Sequence, residues 1–136
     1  LIRRKREQTA SAENWRSKLS IKVPSVKDKT VSLSGGNQQK VSLAKWLDCE
    51  PKVMILDEPT RGVDVGSKSE IYQIIHEQAA AGCGILMISS ELQELIGMCH
   101  RIVVMRAGQI VGEVSGEQKT ERDIMEMAAG VQEVTA

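Results

Sequence analysis

Phenylalanine is absent from this chain of 136 residues, and two Trp and one Tyr supply all of its aromatic rings. Stacking platforms for unpaired bases use aromatic rings, so such platforms are scarce here. The three cysteines, Cys49, Cys83 and Cys99, are far apart, odd in number and without a C-x-x-C spacing. They form neither a zinc motif nor a disulfide framework, and read as reduced, mostly buried thiols of a cytosolic protein. His76 and His100 have no ligand-type neighbour at i+3 or i+4, and read as surface or packing histidines. No segment approaches the roughly 20 apolar residues of a membrane-spanning helix. The opening LIRRKREQTAS has a basic run but not the apolar stretch of a secretory signal. It begins without methionine, so the expectation is a piece of a longer protein. One further absence frames the rest: no lysine-bearing phosphate loop, G-x-x-x-x-G-K-[ST], occurs anywhere in the chain.

What is present is a globular composition, 41% hydrophobic and 26% charged, with zero net charge. The charge is uneven. Residues 1–30 hold nine Lys/Arg against three Asp/Glu, a surplus of +6, and residues 31–136 balance it. A run such as Arg3, Arg4, Lys5, Arg6 attracts nucleic acid or anionic lipid in some proteins. The plainer reading, a solvated helix or chain end, is preferred, and no nucleic-acid partner is expected.

Hydrophobic periodicity predicts helices over about 9–19, 35–48, 68–80 and 121–129, with a short one carrying Leu92, Leu95 and Ile96. A capping box of Ser67 with Glu70 is expected at the third of the long helices, and Ser90 with Gln93 offers another. VMILD (53–57) and GILMIS (84–89) read as parallel strands buried on both faces. RIVVM and QIVGEV read as a hairpin turning at RAGQ. Strands alternating with helices give an α/β fold around a mainly parallel sheet with flanking helices. Ligands of such sheets gather at the carboxyl ends of the strands. Here those ends are DEPT and SSE.

The strand 53–57 therefore delivers two carboxylates. Asp57 is placed to hold a hydrated Mg²⁺ on nucleotide phosphates, and Glu58 to polarise an attacking water. An acidic loop start is the plain alternative. Upstream, Ser34, Gly35 and Gly36 head a helix whose free N–H groups suit an anion.

Leu33-Ser34-Gly35-Gly36-Asn37 in LSGGNQQK, then VMILDE, then RGVD with Asp64 resembles the signature motif, Walker B and D-loop of ABC transporter nucleotide-binding domains, in order and in spacing. The similarity runs from about residue 30 to beyond 110. LSGGNQQK with DEPTRGVDVG and ISSE is similar to the C-terminal ATPase half of the tandem ATP-binding subunits of bacterial monosaccharide importers (ribose, galactose, arabinose, xylose). The resemblance implies a P-loop NTPase-like fold lacking its phosphate-loop strand. It implies residues 1–32 as a remnant of the helical subdomain and 33–136 as signature helix, Walker B, D-loop and the rest of the core. ATP and Mg²⁺ are the implied cofactors. Leu33 to Asn37 and Asp64 would face ATP held by the N-terminal ATPase half, Asp57 would serve the metal, and Glu58 would be the catalytic carboxylate.

Ser90 stands where most of the family place a histidine that contacts the γ-phosphate, which implies that this half's own site is the weaker. Asn37 stands where other ABC proteins often have Gln. A membrane permease and, indirectly, a periplasmic sugar-binding protein are the implied partners, with the subunit peripheral on the inner face of the plasma membrane. The chain alone is expected to be inactive and to self-associate. The competing reading, the ATPase head of a DNA-maintenance protein, is disfavoured by Pro59 after the carboxylates, by Lys40 and by the lack of long heptads.

Overall fold

The structure, a computed structural model, describes residues 2–130. The side chain of Arg3 in the basic run, and the end of the 33–136 region beyond residue 130, lie outside the described residues. The chain forms two compact units, Leu1–Ile88 and Ser89–Ala136.

In the first unit, helix α1 (Ile2–Lys18) begins seven residues before the periodicity does. The apolar pattern starts near Ala12, whereas the upstream turns carry Arg4, Lys5 and Arg6 in solvent. The basic run is thus a solvated helix. Arg16 and Lys18 in the last turn complement the helix dipole. The chain then turns through Ser20, at φ 49°, and buries Leu19 and Ile21.

Helix α2 (Gly35–Leu47) buries Leu43, Ala44 and Leu47. Its C-cap, Asp48, accepts hydrogen bonds from Ser11 Oγ at 2.6 Å and Trp15 Nε1 at 2.7 Å, tying α2 to α1. These two donors hold the Asp48 carboxyl below its ordinary pKa, Ser11 having the larger effect.

Strands β1 (Val53–Asp57) and β2 (Gly84–Ile88) pair in parallel, Val53 beside Gly84 and Asp57 beside Ile88. Helix α3 (Val65–Ala80) connects them and packs on the sheet through Ile71, Ile74 and Ile75 among the buried residues. This is the βαβ crossover that a parallel pair requires.

The expectation that both strands are buried on both faces is corrected. β1 alternates, with Met54 and Leu56 inside and Val53 and Ile55 in solvent, Ile55 at 69% exposure. In β2, Leu86 and Ile88 share that exposed side. Burial on both faces needs a layer on each. The described residues of this unit supply two strands and one covering layer.

The second unit is a hairpin packed on two helices. β3 (Arg101–Arg106) and β4 (Gln109–Ser115) are antiparallel. The turn lies at RAGQ as expected, with Ala107 and Gly108 at φ 50° and 78°. Two successive positive φ values suit a two-residue hairpin turn, and Gly108 meets that demand without strain. The register shifts between Val104 and Met105, a bulge that leaves Val111 as the extra residue on β4.

Ile102, Val104, Val114 and Ile124 form the core, closed by Leu92, Leu95 and Ile96 of α4 (Leu92–Met98) and Met127 of α5 (Glu121–Ala129). Lys119 Nζ donates to the last carbonyls of α4, Ile96 O at 3.2 Å and Cys99 O at 2.6 Å. A cation at a helix C-terminus satisfies both the orphan acceptors and the dipole. Burial raises the Cys99 thiol above its ordinary pKa, against the pull of Lys119. That keeps Cys99 in the unreactive thiol form.

Candidate functional site

The first unit brings two of the motif stretches together. Residue 34 caps α2: Ser34 Oγ accepts from Asn37 Nδ2 at 2.8 Å and from the Asn37 N–H at 3.5 Å. Asn37 in turn accepts from the Lys22 N–H at 2.8 Å, and Gln38 Nε2 donates to Leu33 O at 2.8 Å. The loop that enters the helix is thus held by side chains of its own first turn. Ser34 and Gly35 are exposed, whereas Gly36 is buried.

The reason for the second glycine lies in the packing. A Cβ on Gly36 would fall 2.5 Å from both Cβ and Oγ of Ser67, and one on Gly35 would fall 3.2 Å from the Gly62 carbonyl. The 62–67 segment thus lies directly under the head of α2. Four residues further along the same helical stripe, Lys40 is 2% exposed. Its ammonium pairs with Glu70 of α3 and reaches Ser20 O at 3.5 Å.

Lys40 escaped the sequence reading as a structural element. Its signal was its place in the series Gly36, Lys40, Leu43, Leu47, the buried stripe of α2. A lysine there needs a carboxylate partner.

Asp64 caps α3, accepting from the Ser67 N–H at 3.0 Å. The Ser67 backbone first, and then its hydroxyl, hold the Asp64 carboxyl below the ordinary aspartate pKa. The expected Ser67 and Glu70 capping box is corrected accordingly. Helix α3 starts at Val65, three residues earlier than the apolar pattern, because Asp64 is the better cap and Glu70 is engaged by Lys40.

Asp57 ends β1 exposed, and Glu58 is half-buried. Glu58 has φ 49°, a left-handed backbone on a non-glycine residue, while its N–H continues the ladder to Ile88 O at 2.8 Å. Turn bonds from Arg61 N–H to Glu58 O and from Val63 N–H to Thr60 O bring the chain round to Asp64. Pro59 and Thr60 are buried beneath this turn.

A single exposed carboxylate at a strand's carboxyl end fits a Mg²⁺ that keeps several waters and takes the rest of its shell from phosphates. Among the described residues no group of three or more His, Cys, Asp or Glu assembles into a protein-only metal cage.

Ser90 belongs to the second unit. It is exposed and precedes α4, whose N-cap is Glu91 without a side-chain capping bond. The Ser90 and Gln93 box is therefore not the cap of that helix. Gln93 Nε2 donates to Glu121 at 2.8 Å. The organising hydroxyl is that of Ser89, which accepts from the Glu91 N–H at 3.0 Å and bonds to the buried Glu94 carboxylate.

The first unit thus sets a capped, glycine-headed helix against α3, the crossover of a parallel strand pair whose first strand ends in Asp-Glu, an arrangement found in P-loop NTPase cores. The particular branch follows from comparison with known proteins. Residues 2–61 match the family model described as "ABC transporter". The chain is 55% identical over 126 residues to the ribose import ATP-binding protein RbsA 2 of Rhizobium meliloti, covering 93% of this chain and 25% of that protein. It is 56% identical over 121 residues to the L-arabinose transport ATP-binding protein AraG of Geobacillus stearothermophilus, covering 89% and 24%. It is 51% identical over 123 residues to the xylose import ATP-binding protein XylG of Geobacillus kaustophilus, covering 90% and 24%.

Among solved structures, a nucleotide-free ATP-binding cassette from an ABC transporter superposes with TM-score 0.76 at 27% identity, over 88% of this chain and 47% of that one. A dimeric bacterial ABC transporter cassette gives 0.70 at 22%, over 81% and 47%, a likeness of fold. The chain thus matches the ABC transporter family over residues 2–61 and, over about nine-tenths of its length, ATP-binding proteins named for the import of ribose, arabinose and xylose. It spans about a quarter of the length of the curated relatives it matches.

Proposed function

We propose that this chain works as part of the ATP-binding subunit of a sugar ABC importer, on its C-terminal ATPase half. The observation that carries this reading is the head of α2, where Ser34 caps a helix whose first turn is exposed at Ser34 and Gly35. Backbone N–H groups with the dipole behind them suit a phosphate. Leu33, Ser34, Gly35, Gly36 and Asn37 would cover ATP held by the N-terminal ATPase half, with Asp64 contributing from the same unit. Asp57 would hold a hydrated Mg²⁺, which supplies charge neutralisation on the phosphates. Glu58 would take a proton from the attacking water, and Ser90 would contact the γ-phosphate less effectively than an imidazole.

Residues 1–32 are proposed as part of the helical subdomain and 33–136 as part of the core. The partners are the N-terminal half, a membrane permease and, through it, a periplasmic sugar-binding protein. The subunit would lie on the cytoplasmic face of the membrane. No helix among the described residues is long and apolar enough to cross one. Relatives named for ribose, arabinose and xylose match at 55%, 56% and 51% identity, which supports a role for the matched residues in ATP chemistry common to importers of different sugars.

The test is mutagenesis in the complete subunit. Ser34→Arg places a cation and a bulky chain at the phosphate position of the stronger site and should remove more than about 90% of ATPase activity. Glu58→Gln, acting on the weaker site, should cost less. Equal losses would show that the two sites are not unequal in the way Ser90 suggests, and full activity of Ser34→Arg would refute the phosphate role of α2.

A further inference from the structure

We infer that Ser67 is a positioning residue: it seats Gly36 at the head of α2 and holds Asp64, so that the two stretches meet the partner's nucleotide as one rigid element. The inference rests on the reading of 33–37 and Asp64 as nucleotide-facing. It adds a reason, internal to this chain, for the glycine at 36.

Ser67 has two sides in use. Its Cβ and Oγ occupy the space where a Cβ on Gly36 would stand, at 2.5 Å from each. That separation is far inside van der Waals contact, and the obstacle is the root of a side chain on the first turn of a helix, which has little freedom to withdraw. On its other side, Ser67 gives the Asp64 carboxylate a backbone N–H bond at 3.0 Å and a hydroxyl bond. Lys40 and Glu70 clamp the same two helices one turn further on, and the Gly35 slot against the Gly62 carbonyl closes the near end.

A tilt of α2 relative to α3 therefore cannot move Gly36 without moving Ser67, and with it the cap that fixes Asp64. Removing the Cβ at 67 creates room for one at 36. Removing the hydroxyl alone leaves the Cβ obstacle in place and releases one of the two bonds that Ser67 makes to Asp64.

The experiment uses the complete ATPase subunit carrying the substitutions Gly36→Ala, Ser67→Gly, Ser67→Ala and the doubles Gly36→Ala/Ser67→Gly and Gly36→Ala/Ser67→Ala. Steady-state ATPase kinetics and thermal melting are measured for each. Gly36→Ala should lower kcat at least thirtyfold, and Ser67→Gly on top of it should restore at least tenfold. Ser67→Ala should not rescue it. Ser67→Ala alone should lower kcat about threefold with KM and melting temperature nearly unchanged, which a purely structural serine would not do.

If Gly36→Ala fails to accumulate, recovery of folded, active protein by Ser67→Gly is the same rescue. A double variant as inactive as Gly36→Ala would overturn the inference and return the glycine requirement to ligand approach. So would a fully active Gly36→Ala. Ser34→Arg, assayed alongside, separates the two levels: if it is fully active the nucleotide-facing reading has failed, and if it is inactive without rescue only the Ser67 inference has.

Discussion

The ion pair between α2 and α3 allows a test in which the two partners should respond unequally. Lys40 is 2% exposed while the Glu70 side chain is 48% exposed. Removing Glu70 therefore strands a cation in the interior, whereas removing the Lys40 charge leaves a carboxylate that water already reaches. Breaking a fully buried pair from one side costs about 3–5 kcal/mol. Here half of the Glu70 side chain is wet, and the Ser20 carbonyl at 3.5 Å remains as a weak acceptor for the ammonium.

Glu70→Ala should thus lower stability by about 2 kcal/mol, roughly a thirtyfold shift in the folding equilibrium. Lys40→Met keeps the length and apolar stem of the lysine, and should change stability by less than about 1 kcal/mol in either direction. The double variant should resemble Lys40→Met, because no charge is left to strand. Trp15 and Trp46 both lie in the first unit, so urea titration followed by tryptophan fluorescence reports on it directly. A Lys40→Met variant less stable than Glu70→Ala would refute the reasoning, since the ammonium would then be a net stabiliser rather than a cost the carboxylate offsets.

Three other outcomes are expected. The chain alone should show neither steady ATP turnover nor micromolar Mg-ATP binding by calorimetry, because no phosphate loop occurs in its sequence. It should self-associate, since Val53, Ile55, Leu86 and Ile88 present an apolar face between two strand edges that no described residue pairs. Light scattering should fall on dilution, and a compact monomer that binds no hydrophobic dye would contradict this. Asp48 has a lowered folded-state pKa, so its contribution is complete above the ordinary aspartate range and is lost as pH falls through the folded value. Asp48→Asn should flatten the acid limb of a stability-versus-pH curve, and an acid limb identical to that of the parent chain would contradict this.

Much of this architecture was legible because its signals are local. The parallel strands, the helix between them and the hairpin at RAGQ follow from apolar runs separated by turn residues. The likeness of LSGGNQQK, VMILDE and RGVD to a known family was carried by short contiguous stretches. What was missed is set by contacts across the fold. Glu70 looked like a capping residue because Ser67 lies three residues before it, and only the third dimension shows that Lys40 claims it. The basic turns of α1 have no apolar period, so the pattern left them between a solvated helix and a chain end. The exposure of Ile55 and Leu86 could not be read from the strands at all, because a hydrophobic residue carries no mark of whether a second layer covers it.

Glu58 holds a left-handed backbone at φ 49° while its N–H remains bonded to Ile88 O. That conformation costs a side-chain-bearing residue about 1 kcal/mol or more, and the cost is borne in folding. The direction in which the carboxylate leaves the main chain is therefore preorganised by the β1 and β2 ladder, before any nucleotide arrives. A ligand at this strand end would have little reorganisation to induce in the backbone at 58, so its binding energy is left for the side chains and phosphates. The residue that the peptide geometry itself would prefer here is glycine or asparagine, and a glutamate in that place is a local conflict of the kind that collects at functional sites.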